Sequence, residues 1–235
     1  MRDYMAKLRA RGDLLEVRRP VQARHELAAV TQAAQRRFGK PILFHEVSGT
    51  KRPVLTNVYG SRERLAEILG IAPADFCRRW NELASVAAPA AGPLKREVPM
   101  PLDLVDARLS DLPLLTYAER DAAPYFTSAI FLAREPETGV PNLSFHRSMY
   151  VSDGELRVRL APRHHLTLYH EKAEKMGRPL EAAMLLGPPP QVFLAAAAPV
   201  PYDVDELEVA ARLAGRSTCA RASTSTSRCR PPPRS

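Results

Sequence analysis

Cysteine is scarce: the 235 residues hold three, with Cys77 alone in the body of the chain and Cys219 and Cys229 both near its end. That scarcity excludes a disulfide framework and a CxxC metal knuckle. Long apolar runs are missing as well, none approaching the roughly 20 residues that span a bilayer. The opening MRDYMAKLRARGDLLEV lacks the apolar stretch of a secretory signal, so a cytoplasmic protein is expected. A basic block is also missing from the body of the chain. The net charge is +8, but Arg216, Arg221, Arg228, Arg230 and Arg234 crowd the last stretch without an acid, and setting those five aside lowers it to +3. The other bases are interleaved with acids, as in Arg62-Glu63-Arg64, which reads as solvated helix faces. No nucleic-acid partner is expected. There is no internal repeat, and the only low-complexity segment is RASTSTSRCRPPPRS.

What is present is enough apolar content, 45%, to bury one large or two modest cores. Tyr4 to Arg11 reads as a helix with Met5 and Leu8 inward, stopped by Gly12 before a strand Leu14 to Val17. Leu27, Val30, Ala34 and Phe38 mark one face of a second helix, closed by Gly39 and Pro41. Strands are expected over Ile42 to Val47 and Val54 to Val58. Ser61 caps a helix that Gly70 stops, and Pro73 starts another carrying Phe76, Trp80 and Leu83. Together these describe an α/β lobe.

From Ser85 to Pro101 the prolines and small residues cannot continue a regular element, which places a domain boundary there. Beyond it the chain becomes strand-rich. Strands Ser128 to Ala133, Asn142 to Val151 and Leu156 to Leu160, with turns at Pro136–Gly139 and Ser152–Gly154, predict a β-meander suited to a barrel wall. His165 opens a helix ending at Gly177, Ala182 to Leu186 is a strand, and Gln191 to Ala197 and Asp205 to Leu213 are short helices.

Three residues of this second half offer an amide oxygen, an imidazole nitrogen and a carboxylate: Asn142, His165 and Glu206. Such a mixed set suits a hard or borderline divalent ion that keeps open positions. Each has an ordinary alternative. Pro-Asn after a turn is common turn chemistry, a histidine at a helix start can sit in solvent, and Asp203, Asp205 and Glu206 suit the positive end of a helix dipole. Pleat geometry adds a constraint on Asn142 and Arg147, because residues five apart on one regular strand face opposite ways. A bulge, or Asn142 lying just before the strand, would be needed to bring them together.

The stretch PNLSFHRSMYVSDGELRVRLAPRHH, with PVPYDVDELEVA after it, resembles the UbiD family of decarboxylases from about Met1 to Arg216. Many relatives read Asn-x-Gly-x-Tyr-Arg where this chain has Asn142-Leu143-Ser144-Phe145-His146-Arg147, and a subset shares SFHR. The resemblance implies metal ligation by Asn142, His165 and Glu206. It places Arg147 against the flavin and the substrate carboxylate, as the catalytic residue. Thr127, His164 and the segment Ala197, Ala198 and Pro199 take cofactor-binding places. Ser144, His146 and Asp203 stand where relatives more often carry Gly, Tyr and Gly.

By that resemblance the fold is α/β (α+β): an N-terminal α/β lobe over 1–98, an incomplete split-barrel flavin domain over 99–216, and an aberrant disordered tail over 217–235. The implied cofactors are prenylated FMN with Mn²⁺ or Mg²⁺, and K⁺ as a further cation. A divalent ion between the flavin phosphate and the three ligands would neutralise the negative charge of both. Decarboxylation leaves an electron pair on carbon that no side chain can hold, so the sink must be a cofactor. The implied reaction is non-oxidative decarboxylation of an aromatic or α,β-unsaturated acid, with a flavin prenyltransferase supplying the cofactor and a homo-oligomer as the assembly. The alternative is a non-catalytic flavin- or metal-binding fragment.

After Arg216 the text STCARASTSTSRCRPPPRS leaves the family pattern, and back-translation in GC-rich codons, read two nucleotides on, restores family-like text. A change of reading frame near Arg216 is therefore expected. It would remove the acidic residues that relatives pair with the active-site arginine, and also the domain used for dimerisation, so the chain as written is expected not to turn over substrate.

Overall fold

The structure is a computed structural model that describes residues 1–84 and 106–214. The expected boundary at 85–101 and the expected tail at 217–235 lie outside the described residues.

The first lobe is built on a βαβ unit. Helix α1 (Arg2–Ala10) leads into β1 (Leu15–Val17), then α2 (Glu26–Phe38), then β2 (Ile42–Phe44), and β2 lies parallel to β1 with Leu15 opposite Ile42. Parallel strands need such a crossover, and a helix is its usual form. Strand β3 (Val54–Thr56) returns antiparallel to β2. Leu27 is buried against Val21, Ile42, Phe44 and Val47, with Val30 and Ala34 packed beside them. Phe38 departs from the expected inward face: it is 53% exposed, with the Arg37 guanidinium 5.2 Å from its ring centroid. It is the last residue of α2, and Gly39 follows at φ 62°, so the chain is already leaving the helix there.

Helix α3 (Arg62–Leu69) starts where the Ser61 hydroxyl accepts from the Arg64 N–H and stops at Gly70, φ 66°; a 3₁₀ turn at Pro73–Asp75 leads into α4 (Phe76–Ala84). Neither helix belongs to the first lobe alone. Leu65, Ile68, Leu69, Trp80 and Leu83 pack on a core made by the second half: Ile130, Leu143, Val192, Leu194, Ala195, Val209, Ala210 and Leu213.

The second half holds two three-stranded sheets. One is ordered β4 (Tyr125–Phe126), β7 (Ser148–Ser152), β8 (Glu155–Val158); the other is β6 (Pro141–Phe145), β5 (Ile130–Arg134), β9 (Ala182–Leu185). The expected continuous strand Asn142 to Val151 is thus two strands, which part at His146-Arg147 and enter different sheets. The meander is divided between those sheets, and β4 was not anticipated because two residues are too few for a period to show. Helices α5 (His165–Lys175), α6 (Pro190–Ala195) and α7 (Glu206–Leu213) complete the half. The described strands form an open α+β arrangement rather than a closed barrel. None of the described helices is long and apolar enough to cross a membrane.

Candidate functional site

Strand β6 is an edge strand with two unlike faces. Leu143 and Phe145 join the central apolar core, so Asn142 and Ser144 point the other way, with His146 continuing that side just past the strand. The α7 N-terminus meets this edge. Asp205 is its cap, accepting from the Leu207 N–H at 2.7 Å, and Glu206 is its first residue. Glu206 Oε2 accepts from the Leu143 backbone N–H at 3.0 Å, so a helix terminus covers a donor that an edge strand would otherwise leave open. Asn142 Nδ2 donates to Glu206 Oε1 at 2.6 Å.

His165, the first residue of α5, completes the cluster: its Nδ1 lies 3.3 Å from Asn142 Nδ2 and 4.0 Å from Glu206 Oε1. Asn142, His165 and Glu206 therefore converge, although 64 residues separate the first from the last. Asn142 is 2% and Glu206 3% exposed. Burial pushes the Glu206 carboxyl up to about 7, against the hydrogen bonds from Leu143, its own backbone and Asn142 that favour the charged form. The His165 imidazole is lowered, first by burial and then by the neighbouring His164, which leaves Nδ1 a lone pair to offer. Among the described residues the ion-pair partner found for the carboxylate is His165, which is a cation only when protonated. Among the described residues no three His, Cys, Asp or Glu side chains could hold a metal ion. This cluster contains two such residues, and its third donor is an amide.

Helix α5 is held by a second buried carboxylate. Glu135, 2% exposed at the end of β5, accepts from the Glu137 N–H at 2.7 Å, the Thr138 N–H at 2.5 Å and the Lys172 ammonium at 2.5 Å. Burial alone would raise its pKa, but Lys172 and the two N–H groups outweigh burial and hold it down at about 2. Lys172 lies two turns along α5 from His165, so this pair locks α5 to the β5–β6 hairpin that carries Asn142. Tyr202 adds a wall, its ring edge-on to His165 at 5.4 Å and to Tyr169 at 5.3 Å, with its hydroxyl 3.4 Å from Glu135.

The other expected residues lie outside this hydrogen-bonded cluster. Arg147 is exposed on the link between β6 and β7, with no hydrogen bond or ion pair to any described residue. Because the two strands belong to different sheets, the alternation that set it against Asn142 ends at Phe145, and parity no longer decides where Arg147 points. Thr127 is exposed and its hydroxyl lies 2.9 Å from that of Tyr117. It lines a cavity of about 630 Å³ shared by Leu27, Val54, Tyr59 and Phe193. His164 precedes the first turn of α5 without a side-chain capping bond and is exposed, its ring 6.2 Å from that of His146. Ala197 and Ala198 spend their N–H groups on Leu194 and Ala195 in the last turn of α6, and Pro199 is exposed.

Sequence reasoning noted Ser144 and His146 only as departures from a family pattern. Both are part of the cluster: the Ser144 hydroxyl lies 3.0 Å from Asn142 Oδ1 and 2.9 Å from His146 Nε2, and His146 Nδ1 lies 3.2 Å from the Arg159 carbonyl. Their places two and four residues on from Asn142 were the available signal. Nothing local marked Leu143 as the backbone donor to Glu206, or Glu135 and Lys172 as a brace.

Comparison with known proteins identifies the family of the chain. Residues 5–84 match the 3-octaprenyl-4-hydroxybenzoate carboxy-lyase N-terminal domain, and residues 87–228 match the Rift-related domain of the same carboxy-lyases. The anhydromevalonate phosphate decarboxylase of Methanosarcina mazei is 34% identical over 91% of this chain and 48% of its own length. An evolved dimeric form of the UbiD-class enzyme HmfF from Pelotomaculum thermopropionicum, in complex with prFMN, superposes with a TM-score of 0.78 at 34% identity, over 92% of this chain and 50% of that one. Apo 3,4-dihydroxybenzoic acid decarboxylase (AroY) of Klebsiella pneumoniae does so at 0.74 and 28%, over 92% and 48%. The chain spans about half the length of the relatives it matches.

Proposed function

Because this chain belongs to the UbiD family of carboxy-lyases, we propose that its second half is the cofactor-binding part of a prenylated-FMN-dependent decarboxylase for an aromatic or α,β-unsaturated acid. The observation that carries this is the Glu206 carboxylate, buried beside Asn142 and His165, where among the described residues its ion-pair partner is a histidine rather than a fixed cation. Removing an ionised carboxylate from water is costly unless a partner neutralises it, and here a divalent ion would be that partner. The donor set fits Mn²⁺ or Mg²⁺: a carboxylate oxygen, an amide oxygen once Asn142 turns, and a neutral imidazole nitrogen. K⁺ is proposed as a further cation of the same centre.

In this reading Glu206, Asn142 and His165 would hold the ion, which would supply positive charge for the cofactor phosphate. Glu206 and His165 each open a helix, so two positive dipole ends lie at this cluster and would favour an anion beside it. Bound prenylated FMN supplies the electron sink that decarboxylation requires. Thr127, His164 and the segment Ala197–Pro199 are proposed to contact the flavin. Arg147, with a planar fork free of described partners, is proposed to orient the substrate carboxylate through two hydrogen bonds. The chain is proposed to divide into an α/β lobe at 1–98 and a flavin domain at 99–216. A flavin prenyltransferase as supplier, a homo-oligomeric assembly and a cytoplasmic location complete the reading.

A second reading is a flavin- and metal-binding fragment without turnover. It is favoured by Arg147, which has no acidic partner among the described residues. The test is to supply the chain with Mn²⁺ and prenylated FMN, measure retained metal and the flavin absorbance band, and assay CO₂ release on a panel of unsaturated acids. His165→Ala should lose metal and flavin together. Cofactor retention unchanged by that substitution would refute the site, and retention without CO₂ release would favour the fragment.

A further inference from the structure

The hydrogens around Asn142 do not balance as its amide is oriented. The Arg159 carbonyl can only accept, so His146 Nδ1, 3.2 Å from it, carries the ring hydrogen. His146 is 4% exposed, with the Phe131 ring 5.9 Å away and the His164 ring 6.2 Å away, and burial disfavours a second proton. Nε2 is then an acceptor, and its hydrogen must come from the Ser144 hydroxyl at 2.9 Å. Asn142 Oδ1, 3.0 Å from the same hydroxyl, asks for that hydrogen too. Ser144 has one to give, so one buried acceptor goes unpaired, at a cost of about 1–3 kcal/mol.

Rotating the amide by 180° removes the conflict. Asn142 Nδ2 then donates to Ser144 Oγ, Ser144 donates to His146 Nε2, and His146 donates to Arg159, which satisfies this side of Asn142. The same rotation puts Oδ1 where Nδ2 now lies, 2.6 Å from Glu206 Oε1 and 3.3 Å from His165 Nδ1. Two oxygens at that separation repel unless a cation or a proton stands between them. One side of Asn142 thus favours the turned amide, and the other side accepts it only with a positive charge present.

We propose that Ser144 and His146 are positioning residues, forming a one-way hydrogen-bond chain from the Arg159 carbonyl that turns the Asn142 oxygen toward a divalent cation at Glu206 and His165. The proposal rests on the metal reading above. It assigns work to two of the three positions where the chain departs from the pattern commoner among relatives, and it gives neither residue a place among the cation's ligands.

The test titrates the full chain with Mn²⁺ alone and reads free ion by its electron paramagnetic resonance signal. Wild type is compared with Ser144→Ala, Ser144→Thr, His146→Phe and His165→Ala, and the metal-free thermal midpoint of each is recorded. Residues that orient a ligand typically change metal affinity about 10–100-fold. Ser144→Ala and His146→Phe should weaken binding by about 10-fold or more, and Ser144→Thr, which keeps the hydroxyl, should restore it. Ser144→Ala or His146→Phe binding as tightly as wild type, while His165→Ala does not, would overturn the positioning role and leave the metal site standing. Wild type binding no better than His165→Ala would overturn the metal site, and the proposal with it. A loss in Ser144→Thr equal to that in Ser144→Ala would also overturn it, since packing rather than the hydroxyl would then be responsible.

Discussion

Glu206 should make the metal-free chain less stable as pH rises through neutrality, and Glu206→Gln should remove that loss. The carboxyl stands at about 7 in the folded chain against an ordinary value of 4.5. A raised folded pKa means that the folded state holds its proton longer than the unfolded one. The stabilising contribution is therefore complete below about pH 4.5, declines between there and 7, and is gone above that. The gap corresponds to about 3 kcal/mol, a large share of a typical folding free energy. The raw pH profile will not show this cleanly. His146 and His165 are both lowered, so each contributes stability that is present above its ordinary value of 6.5 and lost as pH falls, opposite in sign. The difference between wild type and Glu206→Gln isolates the carboxyl, and urea unfolding of both chains at intervals from pH 4.5 to 8 measures it. Wild type minus variant should fall by about 3 kcal/mol across that range. Mn²⁺ at about 100 times its dissociation constant should return about 2.7 kcal/mol to wild type at pH 7.5 and little to the variant. A difference that stays flat with pH would refute the buried, unbalanced carboxylate from which the functional reading starts.

Lys172→Met should lower the midpoint of thermal or urea unfolding, because it strips a buried carboxylate of its charged partner while the Glu137 and Thr138 N–H groups remain. The Glu135 carboxyl is depressed to about 2, so its contribution should be complete above 4.5 and fade as pH falls toward 2, which an acid titration of wild type against Glu135→Gln would show. Asp205→Ala should cost about 1 kcal/mol through the lost α7 cap, and it should also weaken Mn²⁺ binding measurably, since the cap sets where Glu206 begins. Ile130→Ala, in the core shared by both halves, should cost about 2–5 kcal/mol by urea unfolding. Arg147→Lys, in a protein of the relatives' full length, should fold normally by circular dichroism but lose CO₂ release, because an ammonium cannot form the two-pronged carboxylate contact.

Helices were the most legible part of the chain, since caps and stops are local chemistry. Ser61 and Asp205 start helices through their capping side chains, and Gly70 stops one through its left-handed backbone. The split of Asn142 to Val151 into two strands was not legible. Alternating polarity breaks at His146-Arg147-Ser148, where the hydrogen-bond partners change from β5 to β4 and β8, but three polar residues in a row read equally as a bulge within one strand. Which strand a residue pairs with is set by contacts far away in sequence, and period alone carries no trace of it. The same limit applied to the site. Asn142, His165 and Glu206 were named on family resemblance, whereas the Leu143 N–H and the Glu135–Lys172 brace follow from docking geometry that no local pattern encodes.

That docking geometry also changes what the boundary near residue 85 means. Trp80 and Leu83 of α4 pack with Val209, Ala210 and Leu213, so the helix that opens with Glu206 is seated partly on the first lobe. It is also seated on α6, through Val192, Leu194 and Ala195, and on β6, through Leu143, in the same core. Helix α7 has only eight residues, too few to be stable in isolation, so its position depends on packing rather than propensity. The Glu206 carboxylate must meet Asn142 and His165 within a few tenths of an ångström to share one ion. The first lobe is therefore part of what aims the carboxylate, although none of the three converging residues belongs to it. A second half expressed without residues 1–84 would expose the apolar face of α7 and lose the alignment of Glu206, even with every proposed ligand still in its sequence.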